Sequence, residues 1–130
     1  MSKTVTRVIV SEDCGNSPKN IFLQKLTIAF AKRDSKFVLD SVTDDIRWNV
    51  LGNQLIVGKD NLAKALEKLR NDTKTEISIQ NIATHGKAGF VNGVTQSKHG
   101  KTYAYCDAYT FSNTKGTSVK AITSYLIEIK

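Results

Sequence analysis

The sequence predicts an α+β fold: three helical segments followed by a strongly bent, mostly antiparallel sheet. Two observations carry this. Up to about residue 70 the apolar residues recur at helical spacing, broken by one short strand pair. After Asn71 the period changes to two and stays there through four long runs joined by tight turns. The chain has 130 residues, 40% hydrophobic and 24% charged, enough for one domain with its own core.

Val5–Val10 is a short apolar run that could add a terminal strand within an N-terminal arm over residues 1–16. Ser17-Pro18 starts the first helix, with serine as cap and proline where a missing N–H costs nothing. Ile21, Phe22, Leu26, Ala29 and Phe30 give that helix an apolar face as far as about Lys32. Asp34 caps a short second helix with Phe37, Val38 and Val42 on its apolar side, and Asp44-Asp45 ends it. Ile46, Trp48 and Val50 then alternate with polar residues as a strand. Gly52-Asn53 turns into a short strand over Gln54–Val57, and Gly58-Lys59-Asp60 opens a third helix holding Leu62, Ala65, Leu66 and Leu69. The four long strands fall at about 75–84, 87–97, 101–112 and 118–129, turned at His85-Gly86-Lys87, His99-Gly100 and Ser112–Gly116.

Several function classes are excluded or disfavoured. No apolar run approaches the ~20 residues of a membrane helix, and the N-terminus lacks the features of a signal peptide, so the expected location is the cytosol and no membrane partner is expected. The net charge is +7, but it comes from scattered lysines with four arginines. Lys32-Arg33 and Lys98…Lys101 are the densest groups, and this pattern reads as a solvated surface, not a nucleic-acid groove. Cys14 and Cys106 lie far apart and read as reduced thiols. His85 and His99 sit before glycine in turns, and no cluster has metal-ligand spacing; no metal and no cofactor are expected.

The third long strand is the most informative. Tyr103, Tyr105, Asp107, Tyr109 and Phe111 share one face; Thr102, Ala104, Cys106, Ala108 and Thr110 share the other. A lone carboxylate among aromatics is costly if ionised and unpaired in a dry interior. Asp107 is therefore exposed with the face around it, buried in a structural hydrogen bond, or set in the wall of a pocket. The small-residue face suits close approach of a second sheet, and so a homodimer through the sheet.

The element order, with IRWNVLG (46–52), GKDNLAKALEKL (58–69) and YCDAYTF (105–111), resembles the nuclear-transport-factor-2-like superfamily in its SnoaL-like branch. The resemblance spans about residues 17–129 and makes residues 1–130 a single SnoaL-like domain. It implies a cone-shaped fold of helices packed into a curved sheet, with a pocket at the open end. Members include isomerases, dehydratases, cyclases, epoxide hydrolases and non-catalytic adaptors, so fold alone does not set function. The ketosteroid isomerase of this fold uses a carboxylate base, a helix tyrosine and a protonated aspartate. Asp107 matches the last. The base position falls near Trp48–Val50 and the tyrosine near Leu26, where this chain has neither group. Steroid-type isomerisation is not implied.

Strand parity from this resemblance puts Trp48, Phe90, Asn92, Tyr105, Tyr109 and Ser124 around Asp107 as ligand-binding residues, unless Trp48 and Phe90 merely fill the core. Two functions follow. One is binding of a small apolar molecule, with isomerase-, dehydratase- or cyclase-like acid/base turnover through Asp107. The other is a non-catalytic dimerisation or partner-binding module with a filled cone.

Overall fold

The computed structural model describes residues 6–129, so Met1–Val5 of the arm, Val5 of the expected first strand included, lie outside the described residues. The first strand, β1, runs over Arg7–Val10 and pairs in parallel with β4 (Glu76–His85). The first helix, α1, spans Pro18–Lys32. The Ser17 side chain accepts from the Asn20 N–H, and Arg33 closes the helix in the left-handed region at φ 58°. Its buried face is Leu23, Leu26, Thr27, Ala29 and Ala31; Ile21, expected inside, is 37% exposed.

The second helix, α2 (Ser35–Asp40), is capped by Asp34 as expected but ends before Asp44-Asp45. Val42 instead begins a long strand, β2 (Val42–Val50), because its buried side chain belongs to the sheet's inner face. A turn at Gly52 leads to β3 (Gln54–Val57), and α3 follows over Lys59–Lys68. The remaining strands are β5 (Ala88–Gln96), β6 (Thr102–Phe111) and β7 (Val119–Ile129).

The seven strands form one open sheet in the order β1-β4-β5-β6-β7-β2-β3. The β1–β4 and β2–β7 pairs are parallel and the rest antiparallel. Register shifts occur at Ile79/Asn81 in β4, between Val42 and Arg47 in β2 and at Thr110/Phe111 in β6. Such irregularities bend a sheet, and this one curves around α1 as the cone-shaped α+β fold. Leu23, Leu26, Val38, Ile46, Leu62, Leu66, Val91, Phe111 and Val119 are fully buried and belong to the core between the helices and the sheet. Among the described residues no helix is long and apolar enough to cross a membrane.

Candidate functional site

A cavity of about 190 Å³ opens between α1 and the inner face of the sheet. Its floor comes from β6 and β7, where alternation sends Tyr105, Asp107 and Tyr109 inward opposite Leu126, Ser124 and Ile122. The β2 strand adds Trp48 and Val50, which pair with Ile122 and Ser124. Phe30 of α1 packs on Trp48 with ring centroids 5.0 Å apart.

Asp107 is the one carboxylate among the lining residues. Burial pushes its pKa up to about 6, and a hydrogen bond from Ser124 pulls partly the other way. Ser124 is itself engaged: the Trp48 indole N–H donates to its Oγ at 2.9 Å. With its Oγ accepting from Trp48, the serine keeps its own O–H for the Asp107 carboxyl, its cross-strand neighbour, and the three side chains stand on the adjacent strands β2, β7 and β6.

The two flanking tyrosines are held by protein partners. The Tyr105 hydroxyl donates to the Ser78 carbonyl oxygen at 2.8 Å. The Tyr109 hydroxyl lies 3.3 Å from Thr27 Oγ1 on α1. Burial raises the pKa of both phenols, and the Asp107 charge adds to it, so both stay neutral. Neither lends Asp107 a hydrogen bond in this arrangement, and the polar groups facing the cavity floor are Asp107 and Ser124.

Five of the seven residues expected around the site are there: Asp107, Trp48, Tyr105, Tyr109 and Ser124. Phe90 and Asn92 are not. Asp107 pairs with Val91, while Phe90 and Asn92 pair with Ala108 and Cys106 and face outward; Phe90 is 37% exposed and Asn92 bonds to Asn81. The reason is the β5–β6 turn. A two-residue His99-Gly100 turn would set Asn92 against Asp107. The loop instead holds three residues, Lys98-His99-Gly100, closed by Ser97 N–H to Lys101 O, with Gly100 at φ 82°. One residue of register exchanges the faces of a whole strand.

At the mouth stand two cations that sequence reasoning passed over, Arg33 and Lys74. Arg33 belongs to a pair read as solvated surface, yet it is half-buried. Its guanidinium donates to the Phe30 and Asp72 carbonyl oxygens. The Lys74 N–H donates to Ala31 O, tying the loop before β4 to the end of α1. Burial lowers the pKa of both side chains, and Asp72 partly offsets this.

No protein-family profile matches the chain, and no curated protein matches it in sequence. Solved structures do match. An NTF2-like protein of unknown function from Cytophaga hutchinsonii is 25% identical, with a TM-score of 0.65 over 82% of this chain and 97% of that one. An LEH-like epoxide hydrolase from M. tuberculosis is 17% identical, with a TM-score of 0.70 over 82% of this chain and 80% of that one. A candidate SnoaL-like polyketide cyclase from Shewanella denitrificans is 8% identical, with a TM-score of 0.71 over 85% of this chain and 92% of that one. The chain has the fold of the NTF2-like superfamily, in the form shared with SnoaL-like and epoxide-hydrolase-like proteins.

Proposed function

We propose that the cone binds a small, largely apolar molecule and that Asp107 acts on it as a general acid. The observation that carries this reading is one carboxyl with a pKa of about 6 at the floor of an open cavity walled by Trp48, Tyr105 and Tyr109. An acid poised near neutrality gives and takes back a proton at little cost. Donation to a ligand oxygen, followed by return of a proton after rearrangement, describes isomerisation, dehydration or cyclisation. Structural neighbours that are epoxide hydrolase- or cyclase-like support such chemistry on this fold. No second carboxylate lines the cavity among the described residues, so the Asp107 carboxylate left after donation is the group that takes a proton back from the ligand.

A ketone probe tests this reading. Binding of 4-phenylbutan-2-one, followed by Trp48 emission, should tighten as pH falls through about 6, because only the protonated acid donates to the carbonyl oxygen. Asp107→Asn should flatten that dependence. Absence of binding at any pH would refute the reading and favour the interaction module.

The outer face of the sheet supports one further part of the proposal, a homodimer. Ala104, Cys106 and Ala108 form a shallow strip, and around it Phe90, Tyr125 and Ile127 are 37%, 48% and 69% exposed. A contiguous apolar patch of this kind marks an interaction surface. The strip of small residues would let a second copy of the same face approach closely.

A further inference from the structure

The cavity is electrically polarised. Its floor holds Asp107 and its mouth holds Arg33 and Lys74, with apolar and aromatic walls between. The acid acting on both mouth cations is Asp72, which leaves a surplus of one positive charge. Neither Arg33 nor Lys74 makes an ion pair among the described residues. Two of the guanidinium N–H directions go to carbonyl oxygens, and the rest remain available. The Lys74 ammonium lies 6.0 Å over the Tyr103 ring, a weak hold that leaves its donors free.

The placement of Arg33 is itself costly. A helix C-cap in the left-handed region favours glycine, and a side chain there costs about 1 kcal/mol. A half-desolvated cation adds to that cost, and a bound anion would offset it.

We propose that the ligand is an amphipathic monoanion, a carboxylate on a body of about one ring, bound with its carboxylate between Arg33 and Lys74 and its neutral functional group toward Asp107. This rests on the reading of the cavity as a ligand site. The size follows from the volume: an engineered apolar cavity of about 150 Å³ holds benzene, and about 190 Å³ leaves room for a short chain. The orientation follows from charge. A carboxylate at the floor would face Asp107, whereas at the mouth it meets two cations.

The test compares two probes with one body, 4-phenylbutyrate and 4-phenylbutan-1-ol, titrated against the full chain at low salt near neutral pH with Trp48 emission as readout. The acid should bind about 10-fold tighter than the alcohol, and added salt should erode the difference. Lys74→Gln and Arg33→Asn, singly and together, should remove the preference while the alcohol's affinity holds within about twofold, which also reports that the variants fold. Asparagine suits position 33 because it tolerates the left-handed backbone. If the alcohol binds as well as the acid, the anion assignment fails and the pocket stands. If the preference survives the double variant, Arg33 and Lys74 are not its source and the proposal is overturned. If neither probe binds at any salt concentration, both the proposal and the pocket reading fall.

Discussion

The Trp48 indole N–H donates to Ser124 Oγ across 2.9 Å, and through that hydroxyl it sets the environment of Asp107. Three strands supply the three residues: β2 pairs with β7 in parallel, and β7 with β6 antiparallel. Ser124→Ala removes the donor to Asp107 and the acceptor for Trp48 together. The Asp107 pKa should then rise further, since the serine hydrogen bond is what lowers it. The indole N–H proton resonance of Trp48 should move upfield in the same variant.

Asp107 should also shape stability against pH. Its folded pKa of about 6 stands above the ordinary 3.8, so between these values the folded chain binds the proton more tightly than the unfolded one. The stability contributed by Asp107 is therefore greatest at the acid end of this window, falls as pH rises through it, and levels off above about 6. A shift of this size corresponds to about 3 kcal/mol. Asp107→Asn should remove this part of the pH dependence and raise stability at neutral pH, as read from urea unfolding of both proteins across the window.

Gly93 should not tolerate a side chain. It lies on the inner face between Ile79 of β4 and Tyr105 of β6. An added Cβ would run into the Ser78 carbonyl oxygen and come within 2.9 Å of the Tyr105 hydroxyl oxygen. The Tyr105–Ser78 hydrogen bond occupies that space. Gly93→Ala should cost about 2 kcal/mol or more in chemical denaturation, because both obstacles are fixed.

The proposed dimer should sediment at about twice the 14.4 kDa chain mass at micromolar concentration. Ala104→Glu should return it to a monomer, because a desolvated charge in a packed sheet interface has no partner. A wild-type chain that sediments as a monomer would remove the dimer from the account.

The helices, the sheet and the identity of the acid were legible because they depend on local pattern. Ser17-Pro18 and Asp34 announce two helix starts, and alternation within β6 fixes Tyr105, Asp107 and Tyr109 on one face. Phe90 and Asn92 were misplaced because their side of β5 depends on one loop residue, Lys98, not on the strand itself. The boundary at Val42 was misread because a valine suits the apolar side of α2 and the first residue of β2 alike. Arg33 and Lys74 were not legible at all. One caps a helix and the other sits in a loop 41 residues later, and the Lys74 to Ala31 hydrogen bond is what brings them to the same mouth.

Burial in the pocket brings the titration of the Asp107 carboxyl close to neutral pH. Carbon-13 titration of that side-chain carboxyl measures it. The expected midpoint in the free protein is about 6. A midpoint at or below the ordinary 3.8 would show a paired or solvated acid and contradict the assignment of Asp107 as the proton donor.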